Sequence, residues 1–122
     1  ASDIGEFLQR YNADRDFVQL VLQAGDVKGG IVIDGQNGKL AQLHWFILHD
    51  ELKGLGVGRT LIEAAMQFVK AKRIPQVYLT TFEGLSAARH LYEEAGFILV
   101  DEQLASTWGR TAKEQRFEWA ED

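Results

Sequence analysis

The 122-residue chain predicts an α/β protein, a mixed β-sheet with helices on both faces in three layers. Three observations carry this expectation. The middle of the chain alternates strand, helix, strand, helix, strand, and its strongest helical pattern runs from Val57 to about Lys72. On either side, strand candidates follow one another through short turns, as hairpins do. Between the strand candidate Leu40–Leu48 and the strong helix stand three glycines at alternate positions, Gly54, Gly56 and Gly58.

Each element follows from its local pattern. Asp3 and Glu6 have capping-box spacing, and Ile4, Phe7, Leu8 and Tyr11 share one helical face, so a short helix opens the chain. Phe17–Gln23 and Gly30 to Asp34 read as antiparallel strands joined around Ala24-Gly25-Asp26. Gly35-Gln36-Asn37-Gly38 is a turn in which Asn-Gly favours the primed hairpin types, and Leu40–Leu48 is the next strand. In the long helix Leu61, Ile62, Ala65, Met66, Phe68 and Val69 recur at helical spacing. Beyond Pro75, Val77 to Thr81 is a strand. Ser86 to Ala95 is a second helix, with Leu91 and Ala95 inward and Gly96 at its C-terminal cap. Phe97 to Leu104 and Gln115 to Trp119 close the sheet. One domain is expected over residues 1–122, with 1–16 a partial N-terminal helix region and 17–119 the core.

Composition narrows the function. No stretch reaches transmembrane length or resembles a signal peptide. The chain has no cysteine, which removes disulfides, thiolate metal sites and cysteine nucleophiles and fits a cytoplasmic location. A formal charge of -5 disfavours a non-specific nucleic-acid binder, which needs a basic field. Lys70, Lys72 and Arg73 read instead as the solvated end of a helix, where cations suit the dipole. His44, His49 and His90 have no metal-ligand spacing, and no metal is required.

The segment Leu52-Lys53-Gly54-Leu55-Gly56-Val57-Gly58-Arg59-Thr60 is the most informative in the chain. A glycine-rich turn leading into a helix exposes unpaired backbone N–H groups at the positive end of the helix dipole, a seat for phosphate or pyrophosphate. The bare pattern also describes a flexible loop with a helix cap. No Gly-Lys-Ser/Thr closes the run, so it is not a P-loop, and its spacing lacks the two-residue gap of the dinucleotide fingerprint.

Leu48 to Arg59 resembles the acetyl-CoA-binding motif of the GCN5-related N-acetyltransferases. Ser86-Ala87-Ala88-Arg89-His90-Leu91-Tyr92-Glu93-Glu94-Ala95-Gly96-Phe97 resembles the family's second conserved helix and the start of the next strand. The two stand at the expected distance with one strand between them, and the resemblance covers roughly Val18 to Trp119. It is closest to the acetyltransferase domain fused to MarR-type regulators, through Leu43-His44-Trp45-Phe46, Thr81-Phe82-Glu83-Gly84-Leu85, Trp108-Gly109 and Glu114-Gln115-Arg116-Phe117. No helix-turn-helix precedes it here, so no nucleic-acid partner is expected. Lys53 stands where the family usually has Arg or Gln, and Leu85 replaces an Asn that often opens the second helix. About one helix precedes the first hairpin, where the family has a strand and two helices. The expectation is therefore either a fragment or a minimal protein that borrows one wall of the acceptor groove from a partner, as a homodimer.

The resemblance implies the acyl-CoA N-acyltransferase fold and transfer of an acetyl group from acetyl-CoA to a primary amine, on a small molecule, peptide or protein, by direct attack in a ternary complex. It implies that Lys53, Gly54, Leu55, Gly56, Val57, Gly58, Arg59 and Thr60 form the cofactor loop. Arg59 would add a charge-assisted contact. The backbones of Phe46 and Leu48 would pair with the pantetheine arm, one amide polarising the thioester carbonyl. Tyr92 holds the place of the general acid, beside the cofactor sulfur. For the general base the residues leave His44, His49, Glu83 or a water chain, and His44 and Trp45 alternate so that either could point inward. Arg89 is expected to pair with Glu93, and the tryptophans to pack in the core or an interface. Two other readings stay open, a non-catalytic acyl-CoA-binding module and a regulatory domain with a degenerate site.

Overall fold

The computed structural model describes residues 4–83, 86–107 and 110–121. Its elements are α1 (Ile4–Gln9), β1 (Phe17–Gln23), β2 (Asp26–Asp34), β3 (Leu40–Leu48), a 3-10 turn (Asp50–Leu52), α2 (Val57–Ala71), β4 (Gln76–Phe82), α3 (Ser86–Glu94), β5 (Ile98–Thr107) and β6 (Arg110–Ala120). The six strands form one sheet in the order β1-β2-β3-β4-β6-β5. Only β3 and β4 pair in parallel; every other neighbouring pair is antiparallel. This is the expected three-layer α/β architecture with a mixed sheet. Among the described residues, no helix is long and apolar enough to cross a membrane.

The faces are set by strand alternation. On one face Ile31, Ile33, Leu43, Val77, Leu79 and Phe117 meet Leu61, Ile62, Ala65, Met66 and Val69 of α2, all at most 4% exposed. Each fully buried side chain of this size contributes roughly 1.5–3 kcal/mol, which holds α2 to the sheet. The α3 residue Tyr92 joins the same cluster. On the other face α1 contributes Phe7, whose ring lies against His44 and Trp45.

Several boundaries differ from expectation for local reasons. β2 begins at Asp26 rather than Gly30, because Gln23 pairs directly with Asp26 across a two-residue loop, Ala24 and Gly25, with φ of 53° and 85°. In the next turn Gln36, not Asn37, takes the positive φ beside Gly38, and Gly38 N–H donates to Gly35 C=O at 2.7 Å. The Asn37 side chain instead accepts from the amides of Lys39 and Leu40, so the expected Asn-Gly primed turn does not form. Of the four residues expected to share one helical face, α1 holds Ile4, Phe7 and Leu8 while Tyr11 lies beyond it, and only Phe7 is buried; Ile4, Leu8 and Tyr11 are 40%, 54% and 43% exposed. β5 and β6 outrun their apolar stretches because each is the other's partner as far as Thr107↔Arg110. Asp3, Gly84, Leu85, Trp108 and Gly109 lie outside the described residues.

Candidate active site

The site begins with an irregularity in β3. Leu43 and His44 pair with Ile33 and Val32, while Ile47 and Leu48 pair with Gly30 and Gly29, so Trp45 and Phe46 together oppose Ile31. This β-bulge puts Trp45 at φ 49°, a strained conformation for a residue with a Cβ. Its cost, of order 1–3 kcal/mol, is offset by packing: the Trp45 ring stacks on His44 with centroids 3.4 Å apart and sits 5.7 Å from Phe7. The bulge also resets the alternation. Ala41 and Leu43 face α2 before it, and Phe46 and Leu48 face α2 after it. His44 and Trp45 therefore both lie on the α1 side, and neither points into the main core.

A slot opens beside the bulge. β3 and β4 pair only over Leu40–Gln42 with Gln76–Tyr78. Beyond that they separate, and a cleft of about 750 Å³ opens, walled by Leu43 to Phe46 and Leu48 on one strand and by Leu79, Thr80 and Thr81 on the other. Its floor and mouth come from Lys53, Gly54, Gly56 to Arg59, and from Ala88 and His90 to Tyr92 of α3.

The glycines do different things at the mouth. Gly54 and Gly56 have φ of 80° and 77°, and a Cβ on either would meet nothing within 4 Å, so they are needed for the turn itself. Gly58 is an ordinary helical residue. A Cβ there would lie 3.1 Å from Leu91, 3.5 Å from Leu48 and 3.6 Å from Phe46, so it is needed for close helix–strand packing. The first amide of α2 bonded back into the helix is Thr60, to Gly56 C=O at 3.1 Å. The amides of Gly56, Val57, Gly58 and Arg59 precede that bond at the positive end of the dipole, in the arrangement that suits an anion. Thr60 Oγ1 donates to Gly56 C=O at 3.0 Å.

Side-chain charges are already paired. The Arg59 guanidinium is held by Glu94 of α3 through contacts of 2.9 to 3.1 Å, and Arg59 lines the cleft. The Lys53 ammonium pairs with Asp50 at 2.9 Å. His49 caps the 3-10 turn, its Nδ1 accepting from the Glu51 amide at 3.3 Å, and it does not line the cleft. Leu55, Thr60 and Glu83 do not line it either. Glu83 is exposed, and its amide donates to Lys113 C=O at 2.8 Å. Arg89 pairs with Glu93 at 3.4 Å, with its guanidinium over the Phe117 ring.

Tyr92 and His44 remain as the titratable groups deepest in the cleft. Tyr92 is 7% exposed, its ring packed among Phe46, Phe97 and Phe117. Burial pushes its phenol up to about 12, so the hydroxyl keeps its proton at neutral pH. His44 is pushed down to about 4, chiefly by burial and further by Arg10, against the opposing pull of Asp34. Asp34 itself is buried, which opposes its ionisation. The bidentate Arg10 guanidinium, at 2.7 and 3.1 Å, and the Gln36 amide nonetheless hold its carboxyl below the usual carboxylate range. Asp16, also buried, accepts from the amides of Gly35 and Asn12. The Arg10–Asp34 pair and the bulge were not foreseen from sequence. The one available signal was the shift from Ala41 and Leu43 to Phe46 and Leu48 in apolar parity.

Comparison with known proteins agrees with this geometry. A model of the acetyltransferase (GNAT) family matches residues 2–97, and the chain belongs to that family. No curated protein matches it by sequence. Among solved structures it resembles a GNAT family acetyltransferase from Elizabethkingia anophelis with acetyl-CoA bound, at 13% identity and TM-score 0.72, covering 96% of this chain and 80% of the other. It also resembles the acetyltransferase of GNAT family from Streptococcus pneumoniae, at 21% identity and TM-score 0.80, with 96% and 73% covered. A third is the ribosomal-protein-S18-alanine N-acetyltransferase from Escherichia coli, at 16% identity and TM-score 0.78, with 98% and 77% covered. At these identities the likeness is one of fold.

Proposed function

We propose that this protein transfers the acetyl group of acetyl-CoA to a primary amine by direct attack, with both substrates bound together. One observation carries the reading: four unbonded amides at the start of α2, the separated edges of β3 and β4, and a buried, protonated Tyr92 all open onto one cleft. The amides of Gly56 to Arg59 bind the pyrophosphate, and the loop Lys53 to Thr60 encloses it. Phe46 and Leu48 offer backbone groups to the pantetheine arm, because β4 no longer occupies them, and a β3 amide polarises the thioester carbonyl. Tyr92 donates its phenolic proton to the departing sulfur. The residues fit this co-substrate: the turn glycines leave its approach open, and the cleft wall beside α3 is apolar and aromatic.

The whole chain is read as one domain working in the cytoplasm, without nucleic acid, as a homodimer. Kinship to the MarR-fused acetyltransferase domain rests on the quoted sequence runs. A non-catalytic acyl-CoA-binding module is the competing reading. Calorimetric titration with acetyl-CoA, followed by thiol release with a panel of amines, separates the two. Binding with no thiol release from any acceptor would favour the module, and absence of binding would defeat both.

A further inference from the structure

The base that accepts the amine's proton is the part of the proposed reaction left unassigned, and the α1 face of the sheet carries an arrangement suited to it. Among the described residues, His44 Nε2 is sealed from solvent with no hydrogen-bond partner. It lies 3.9 Å from Asp34 Oδ2, too far for a hydrogen bond. Yet among the described residues this carboxylate is the one charged acceptor acting on the ring. A lone pair directed at a buried anion is repelled, whereas an N–H directed at it is attracted, and low local polarity strengthens the preference. In the neutral ring the proton therefore sits on Nε2 and the lone pair on Nδ1. The His44 side chain is 15% exposed and lines the cleft, so with Nε2 sealed, Nδ1 is the ring nitrogen left to meet an acceptor there.

Asp34 is fixed for this task. Arg10 grips both its oxygens, the Gln36 amide donates to Oδ1 at 3.2 Å, and Trp45 and Phe7 clamp the imidazole from the ring side. Among the described residues, the charged groups facing His44 are thus Asp34 on β2 and Arg10 just beyond α1, while its neighbours Phe7 and Trp45 are uncharged. A movement of about 1 Å would bring Nε2 and Oδ2 into hydrogen-bond range.

From this geometry we infer that His44 is the general base, working through Nδ1, and that Asp34 is its positioning residue, itself held by Arg10. The inference rests on the acetyltransferase reading above. Nδ1 takes one proton from the acceptor's ammonium group. The freed nitrogen pair bonds to the acetyl carbon as the carbon–sulfur bond breaks, its electron pair leaving on sulfur. Tyr92 gives sulfur its proton and recovers one from the nitrogen as the amide forms. The imidazolium proton passes to water, so one proton is released overall.

The test combines a spectroscopic and a kinetic arm on the intact protein. Two-bond ¹⁵N–¹H correlation spectra, assigned with His49→Gln and His90→Gln variants, report the tautomer of each histidine. For His44 the Nε2–H form is expected to dominate at pH 7, and D34N, checked for folding by circular dichroism, is expected to raise the Nδ1–H share. His44→Gln should lower kcat roughly 10²- to 10³-fold and D34N about 10-fold, each with acetyl-CoA affinity near the wild-type value. A dominant Nδ1–H tautomer in the wild type, or H44Q turning over at the wild-type rate, overturns the assignment. Wild-type protein that binds acetyl-CoA but acetylates no amine refutes the acetyltransferase reading instead, a separate outcome from either.

Discussion

At the residue scale, Tyr92 and His44 show burial setting protonation in opposite senses. Withdrawal from water disfavours the charged form of each, so the phenol is harder to deprotonate and the imidazole harder to protonate. Tyr92→Phe keeps the ring among Phe46, Phe97 and Phe117 but removes the proton. Its kcat should fall near the lower end of the roughly 10²–10⁴-fold range for general acids, because a thiolate leaves readily. Acetyl-CoA affinity measured by calorimetry should barely change. A wild-type rate in a chemistry-limited assay would return Tyr92 to a packing role. For His44 the consequence is a pH dependence of stability. Its folded value, about 4, is below the unfolded 6.5. Between these limits the unfolded chain takes up a proton that the folded chain does not, so stability falls as pH drops through this window. Relative to H44Q, the wild type should lose about 1–2 kcal/mol between pH 6.5 and 4 in urea titrations, after discounting for solvent at the ring edge. Parallel curves for the two proteins would contradict the shift.

At the element scale, the glycine turn and the bulge are separable devices. Gly56→Ala places a methyl group in open space but at φ 77°, so about 1 kcal/mol of stability is at stake, from backbone strain alone. Gly56→Leu should weaken acetyl-CoA binding while leaving the circular dichroism spectrum intact, since the side chain enters the proposed anion seat. Gly58→Leu should behave differently. It drives a side chain into Leu91, Leu48 and Phe46, and overpacking of this kind costs typically 1–3 kcal/mol. Thermal melts and calorimetry on the two leucine variants should therefore diverge: affinity loss dominates at 56 and a lower Tm at 58. Equal behaviour would show that the two glycines do the same job. The bulge has its own logic. Trp45 adds one residue without advancing the ladder, and that residue moves Phe46 and Leu48 onto the α2 face, in the stretch of β3 that does not pair with β4.

At the scale of the whole molecule, the two faces of the sheet are unequally covered. The α2 side carries the main core cluster, whereas on the α1 side Phe7 is buried and Ile4, Leu8 and Tyr11 are exposed. On the same side Leu20 and Ile47 flank Gly30 across three strands, 49% and 59% exposed. Exposed apolar groups gathered in this way favour association. The protein should sediment as a dimer at micromolar concentration, and Leu20→Lys with Ile47→Lys should shift it towards monomer. Sedimentation as a monomer throughout that range would set the homodimer aside.

How much of this was present in the sequence depends on whether the signal was local. Strands Phe17–Gln23 and Leu40–Leu48 and the helix from Val57 were legible to within a residue or so, because each carries its own periodicity between clear punctuation. The glycine loop was legible because its spacing directly precedes a helix. The face taken by His44 and Trp45 was not, because alternation cannot say which residue absorbs a bulge; the opposing strand decides that when Trp45 and Phe46 meet Ile31 alone. Nor could sequence place Arg59 on Glu94, 35 positions away, or Arg10 on Asp34, 24 positions away. Local pattern thus determined the elements, their order and the cofactor-loop candidate. Tertiary structure decided the cleft, the protonation states within it and the charge partners, because these depend on burial and on distances between residues far apart in the chain.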